Sequence, residues 1–524
     1  MIDKAQASAD YRTLLPGNLY SAEQTRLLDS YAIDTLGIPA LLLMERAGRA
    51  CFEHLGHCWP QAKQVTVLAG CGNNAGDGYV IAALAHVAGL QVMVLQVGQC
   101  SQLRGVAAMC YQRAKALGVS IIEVLTTDEL ADYQSLLLES DVLIDALLGL
   151  GIQGEVRALY AALISRANKV ARPVMAVDIP SGLCPDTGQV LGVALKADLT
   201  VTFITVKQGL LTGSGPDYTG RLVFNDLQIP ASVYQQVLPV AQRLDLTTVR
   251  PRLPARLSTA HKGNFGHVLV LGGDRGMAGA VLMAATAAAR VGAGLVSIAT
   301  RREHCGAVIA RQPELMCHAI SDQNDDLAHA EERVLALVEN ATTLVVGPGL
   351  GQTAWSTMLL RVALQAKKPT VIDADALNLL SQMPDLQTHP LCIMTPHPKE
   401  ASRLLCCTLS SLQQDRFVAA RELAQRFHAI AVLKGAGTLI SDGETLSLAS
   451  VGGPLMASGG MGDILSGVIG GLLAQGLEPH EAAQLGVVLH GTAADRLALQ
   501  QGERGVMAME LLPVIQHLLH QVHT

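Results

Sequence analysis

Residues 458 to 473 read SGGMGDILSGVIGGLL: a glycine-crowded loop, one acid, then an apolar helix. Free N–H groups and the helix dipole make such a loop suited to an anion. Asp463 puts a carboxylate there instead. Two readings stay open on the local sequence: an N-terminal cap, or an acid that acts on whatever the loop holds. Upstream, KGAGT places Lys434, Gly435, Ala436, Gly437 and Thr438 after an apolar run. The ammonium and glycine N–H groups there could hold nucleotide phosphates. It is not a Walker loop, because G-x-x-x-x-G-K-[ST] occurs nowhere in the chain. VGPGLG (346–351) adds a second glycine edge, and TPHPKE (395–400) sets His397 between two prolines. That histidine is either structural or a rigidly held substrate contact.

The first half is rich in oxygen-bearing side chains at the ends of apolar runs. Asn73, Asn74 and Asp77 follow the first run, Asp145 ends the third, and Asp178 and Ser181 follow the fourth. Amide, carboxylate and hydroxyl oxygens suit a hard cation, or proton transfer beside a bound nucleotide. Each one alone reads better as a turn residue or helix cap; their sharing one edge favours a site. The stretch GCGNNAGDG misses the dinucleotide fingerprint, since its glycines fall at 70, 72, 76 and 78. The next apolar run ends in Gln96 and Val97 rather than a ribose-binding acid, so a conventional dehydrogenase is disfavoured.

These residues need a scaffold that gathers strand ends. The chain twice repeats a short β-branched run, a Gly or Asp at its end, and a helical segment, which implies parallel sheets covered by helices. The first-half runs are 64–70, 90–98, 140–147, 173–182 and 198–203; the second-half runs are 266–273, 294–300, 342–349, 369–377, 392–398 and 430–437. A hairpin is expected around Asp442-Gly443, and a capping box at Ser21 with Glu23-Gln24 opens a helical stretch reaching Leu55. Ligands of such sheets collect outside the carboxyl ends of the strands. A poorly periodic stretch with Pro230, Pro239, Pro251 and Pro254 marks a boundary.

With 524 residues, the chain is long enough for two domains with ample core. Half the residues are hydrophobic, 16% are charged and the net charge is −7. That excludes a disordered chain and disfavours a nucleic-acid binder. No stretch reads as a membrane span, and MIDKAQASADYRTLLPG lacks the apolar core of a secretory signal. Eleven cysteines follow no regular frame, which fits reduced thiols in a cytoplasm. His517, His520 and His523 suit the solvated end of a helix better than a metal.

GCGNNAGDG, DALLGLGIQG (145–154) and VDIPSG (177–182) together resemble the NAD(P)H-hydrate epimerase domain, from about Ser21 to Ile229. Ala75 stands where that family usually has Gly, and Arg46 where it usually has Asn. The resemblance implies interconversion of the two epimers of a hydrated nicotinamide cofactor, with Asp178 as general acid/base and potassium on Asn74, Asp145 and Ser181. Substrate contacts are expected from Asn73, Asn74, Ala75, Gly76 and Asp77, and from Gly149, Leu150, Gly151, Ile152, Gln153, Gly154 and Glu155. These two segments are expected as loops.

Strand-end lysine, hairpin, glycine loop, acid and helix resemble the ribokinase-like superfamily from about Pro251 to Leu519. Within it, GGDRGMAGA, VGPGLG, DADALN, TPHPKE, KGAGT and GGMGD are similar to the ADP-dependent NAD(P)H-hydrate dehydratase, with Asp274 where Ser is frequent. That implies phosphoryl transfer from ADP to the hydrate hydroxyl, loss of phosphate and recovery of the reduced cofactor. Asp463 would be the catalytic acid/base. Ala280, Gly349, His397 and Asp463 would contact the hydrate. Lys434 to Thr438, Gly459, Gly460 and Gly462 would hold ADP, with magnesium as phosphate partner. The expected fold is α/β: a Rossmann-like αβα domain at 1–229, a linker at 230–250, and a ribokinase-like αβα domain at 251–524. A cytoplasmic homo-oligomer acting on NADHX and NADPHX is expected. The alternative is a ribokinase-like small-molecule kinase fused to a Rossmann-like binding domain.

Overall fold

A computed structural model describes residues 15–152, 154–249, 256–320 and 327–522. Gln153, Pro251, Pro254 and His523 lie outside the described residues. The chain divides into two compact units, one ending at Gln242 and the other beginning at Arg243.

In the first unit the chain forms β1 (Gln64–Ala69), β2 (Gln91–Val97), β3 (Ser120–Val124), β4 (Val142–Ala146), β5 (Val174–Val177), β6 (Leu199–Phe203) and β7 (Arg221–Asn225). They pair in the order β3-β2-β1-β4-β5-β6-β7, all parallel. Side chains alternate between the sheet faces. Val65, Val67 and Ala69 join one buried cluster, with helices Ala40–Cys58 and Asn73–Val87. Leu68 joins the other, with helix Ala158–Lys169. Burial on both faces explains why these strands read as continuous apolar runs. The strand order reverses between β1 and β4, and that switch point opens a crevice at their carboxyl ends.

The second unit repeats the plan. Its strands are β8 (His267–Leu271), β9 (Leu295–Thr300), β10 (Met316–Ala319), β11 (Thr343–Val346), β12 (Thr370–Ile372), β13 (Cys392–Met394), β14 (Ile430–Leu433), β15 (Thr438–Ser441) and β16 (Leu446–Ala449). Their order is β10-β9-β8-β11-β12-β13-β14-β15-β16, with β14 to β16 antiparallel. Asp442 Oδ1 accepts from Glu444 N at 2.9 Å and Thr445 N at 2.7 Å, closing the expected hairpin. Helices Met461–Ala474 and Ala278–Arg290 touch backbone to backbone: a Cβ on Gly467 would stand 2.1 Å from Ala284 O.

Three features depart from the sequence reading. Strands β3, β7 and β10 lie outside the runs singled out. The stretch 230–250 holds a 3₁₀ turn, Ala231–Gln235, and a strand, Ala241–Leu244. Residues Asn73 to Asp77 are not a loop but the first turn of helix Asn73–Val87, because Gly72 already serves as its extended N-cap. The Ser21 capping box is present, with Ser21 Oγ accepting from Gln24 N and Gln24 Oε1 from Ser21 N.

Candidate functional site

At the first switch point lies a cavity of about 630 Å³, lined in part by Asn73, Asn74, Asp77, Gly149, Asp178 and Lys207. Two glycines allow close packing there. A Cβ on Gly70 would stand 2.0 Å from Leu147 O, and one on Gly76 2.4 Å from Met44 Sδ. Gly72 has no side chain to cap the helix; Ala75 N donates to Gly72 O at 3.1 Å, which leaves the Asn73 and Asn74 N–H groups for an anion. Asn73, Asn74, Asp77, Gly149, Leu150, Gly151, Ile152 and Glu155 all line this cavity; Ala75 and Gly76 are buried behind it. Gly154 turns the neighbouring chain with φ +70°.

Asp145, the penultimate residue of β4, is wholly buried. Its Oδ2 accepts from Ser181 N at 2.7 Å, and its Oδ1 from Ser181 Oγ at 2.5 Å and Leu147 N at 3.3 Å. Burial pushes its carboxyl up to about 6, against the pull of the Ser181 hydrogen bonds. Beside it, Asn74 Nδ2 donates to Leu148 O at 3.2 Å, while Asn74 Oδ1 is buried without a partner. Leu148 N donates to Ser181 Oγ at 2.8 Å. The three oxygen-bearing side chains are therefore held around one backbone segment. A buried carboxylate with only neutral donors, next to an orphaned amide oxygen, fits a hard cation.

Asp178 follows β5 with φ +67°, a left-handed conformation that few residues with a Cβ adopt. Its Oδ1 accepts from Phe203 N at 3.0 Å, Thr202 Oγ1 at 3.2 Å and Lys207 Nζ. Its Oδ2 has no protein donor among the described residues. Lys207 is fully buried; its ammonium also reaches Thr202 Oγ1 at 3.0 Å and Phe203 O at 2.9 Å. Burial lowers the lysine, against the carboxylates of Asp178, Asp29 and Asp77. Burial raises Asp77 well above the carboxylate range, and the charges on Asp178 and Asp29 add to this. Sequence reasoning missed Lys207 and Asp29. Gln96, where a dehydrogenase would carry its ribose acid, is buried and donates to Gly70 O at 2.8 Å.

In the second unit Asp463 occupies the first turn of helix Met461–Ala474 but is not its cap. The N-cap is Gly460, φ +87°, and among the described residues no hydrogen bond engages the Asp463 carboxylate. Burial pushes that carboxyl up to about 7, with Asp373 adding and Lys434 opposing. Lys434 Nζ lies 3.0 Å from Asp373 Oδ1, which also accepts from Thr395 Oγ1 at 2.8 Å. Burial works to lower Lys434, but Asp373, Glu400 and Asp463 outweigh it and hold the ammonium above its usual value. A Cβ on Gly462 would stand 3.5 Å from Lys434 Nζ and 3.6 Å from Asp373 Oδ2. The loop, the lysine and Asp373 are thus neighbours. Asp373 lies in the quoted DADALN stretch, yet its type and spacing did not disclose this role.

Gly349 has φ +56°, and its missing Cβ would fall 3.1 Å from Ala280 Cβ. His397 caps helix Pro398–Leu404: its Nδ1 accepts from Lys399 N at 3.1 Å and Glu400 N at 3.3 Å. Its Nε2 lies 3.3 Å from Glu400 Oε1. Both ring nitrogens thus have protein partners, while the His397 side chain stays 45% exposed. Asp274 is fixed by Arg301 Nε at 2.7 Å, and Arg301 in turn stacks 4.1 Å over the Trp355 ring.

Two family models match the chain: one described as the YjeF-related protein N-terminus over residues 40–209, the other as NAD(P)H-hydrate dehydratase over residues 268–517. A bifunctional NAD(P)H-hydrate repair enzyme of Coxiella burnetii is 46% identical over 503 residues, covering 96% of this chain and 99% of that one. Its Escherichia coli counterpart is 40% identical over 507 residues, covering 97% and 95%. A crystal structure of the ADP/ATP-dependent NAD(P)H-hydrate dehydratase of Bacillus subtilis, co-crystallised with ATP and Mg²⁺, is 29% identical with a TM-score of 0.48, covering 53% of this chain and 97% of that one. Near-full-length identity to these relatives shows that the chain belongs to the family of bifunctional NAD(P)H-hydrate repair enzymes.

Proposed function

We propose that the first unit interconverts the R and S epimers of hydrated NADH and NADPH, and that the second dehydrates the S form at the expense of ADP, giving AMP and phosphate. We assign these activities to domains at 1–229 and 251–524, in a cytoplasmic homo-oligomer. The single observation that carries the reading is Asp463: an unengaged carboxyl in the first turn of a helix that no side chain caps, near Lys434.

In the second unit the N–H groups of Gly459, Gly460 and Gly462 and the Lys434 ammonium meet the charge of the transferring phosphoryl group. Asp463 removes the proton of the hydrate hydroxyl as that oxygen attacks the terminal phosphorus of ADP. AMP departs, phosphate leaves C6 with the electron pair of the carbon–oxygen bond, and loss of a proton from the adjacent ring carbon restores the ring double bond. Ala280, Gly349 and the His397 ring edge bound the hydrate, while residues 434–438 hold the nucleotide. Magnesium would screen the phosphate charge, bound mainly through the nucleotide's own oxygens.

In the first unit Asp178 offers its free Oδ2 to the C6 hydroxyl, giving and retaking the proton as the carbon–oxygen bond opens and re-forms. Lys207 fixes the other oxygen. Asn74, Asp145 and Ser181 would hold potassium, whose positive charge would complement Asp145 and nearby phosphates. The open turn at Asn73 to Asp77 and the segment Gly149 to Glu155 face the phosphates and ribose.

The reading is tested by incubating the protein with each epimer alone, with and without ADP, and identifying the products. Restored reduced nicotinamide with free phosphate supports it. A stable phosphorylated product would instead establish a small-molecule kinase.

A further inference from the structure

Segment 433–437 is wrapped around one buried side chain. Arg416, at the start of helix Arg416–Phe427, is 2% exposed. Its Nη1 donates to Ala436 O and to Gly437 O at 3.2 Å. Its Nη2 donates to Leu433 O at 3.3 Å and Lys434 O at 3.1 Å. A single guanidinium thus collects four carbonyls from five consecutive residues. Gly435 has φ +140°, and a Cβ there would stand 2.7 Å from Arg416 Nη2. The glycine is required because the guanidinium occupies the space of a side chain.

The two ends of a trans peptide point in opposite directions. Drawing the Lys434 and Ala436 carbonyls inward therefore turns the Gly435 and Gly437 N–H groups outward. Among the described residues neither N–H has a protein acceptor. Two such outward N–H groups, on alternate residues and backed by a buried guanidinium, offer paired donors to an anion. Arg416 does not reach that surface itself.

We propose that Arg416 is the positioning residue of the nucleotide loop: it gathers the carbonyls of residues 433–437 and so presents the Gly435 and Gly437 N–H groups to an anionic phosphate of the adenine nucleotide. This rests on the reading of residues 434–438 as the ADP site. Lysine in its place has three donors on one atom and cannot span four carbonyls.

The test uses the full-length protein with ADP as probe. ADP binding is measured by calorimetry, and ADP KM and kcat by dehydratase turnover, for the unaltered protein, Arg416→Lys and Gly435→Ala. Epimerase rate and Tm report folding. We expect ADP KM to rise ~10-fold or more in both variants, with kcat changed less than KM, since nucleotide binding rather than the reacting acid is disturbed. Gly435→Ala displaces the guanidinium without removing it, so it covers the case in which Arg416→Lys does not fold. Unchanged ADP affinity in folded variants would overturn the proposal alone. Failure of the unaltered protein to bind ADP would overturn the nucleotide reading of the loop, and the proposal with it.

Discussion

Lys207, wholly buried, donates through Nζ to Asp178 Oδ1 and leaves Oδ2 as the oxygen without a protein donor among the described residues. The pair links the two-residue strand Val206–Lys207 to the end of β5. Lys207→Met should therefore do two things. Removing one partner of a buried pair should destabilise the first unit, by about 3 kcal/mol. Epimerisation should fall by about 100-fold as Asp178 loses its fixed geometry, while ADP-dependent dehydration of the S epimer persists. Denaturant titration and separate assays of the two activities read these effects.

Asp463→Asn should lower dehydratase kcat by roughly 10²- to 10⁴-fold, the usual worth of a positioned acid or base. ADP affinity should stay within about 2-fold, because the phosphates meet N–H groups and Lys434 rather than this carboxyl. The proton acceptor is the ionised form, and burial holds the group up to about 7. Single-turnover rates should thus climb as pH rises through about 7, with this limb absent in Asp463→Asn. A flat profile in the unaltered protein would remove Asp463 as the base.

Potassium should raise the Tm of the first unit, since among the described residues the Asn74 amide oxygen and the Asp145 carboxylate are buried without a cationic partner. Ligand binding stabilises in proportion to RT ln(1 + [L]/Kd). Scanning calorimetry in potassium chloride against choline chloride should show the shift, and Asn74→Ala should abolish it. Equal Tm values in both salts would contradict the cation site.

Gly70→Ala and Gly72→Ala form a matched pair. A Cβ at Gly70 would meet Leu147 O at 2.0 Å, whereas nothing lies within 4 Å of one at Gly72. The first should cost on the order of 1–3 kcal/mol and disturb the segment leading to Gly149. The second should leave stability within about 0.5 kcal/mol. Thermal unfolding of both variants checks the contrast.

What was legible in the sequence follows from what each element must bury. Strands β1, β4 and β5 contribute to buried clusters on both faces of their sheet, so their apolar runs stand out, and the oxygen-bearing residues near their ends follow from that. Strand β3 carries Glu123 within Ser120–Val124, and its middle residues are only half-buried, so its run is weak. The partners of the acids were illegible for another reason. Lys207 lies 29 residues from Asp178, and Lys434 lies 61 from Asp373. Only folding brings each lysine to its carboxylate. Arg416 sits in a polar helix, and nothing in its immediate sequence says that four carbonyls will close around it. Asn73 to Asp77 looked like a loop because glycines surround them. Gly72 takes the capping position, and the helix starts one residue later.

The most direct measurement follows each epimer separately in the unaltered protein, Asp178→Ala and Asp463→Asn, with and without ADP. Without ADP, the unaltered protein and Asp463→Asn should equilibrate the epimers, and Asp178→Ala should not. With ADP, the unaltered protein should convert both epimers to reduced cofactor, and Asp178→Ala only the S form. Epimer interconversion that survives in Asp178→Ala, or reduced cofactor formed at an undiminished rate by Asp463→Asn, would contradict the division of the chemistry between these two acids.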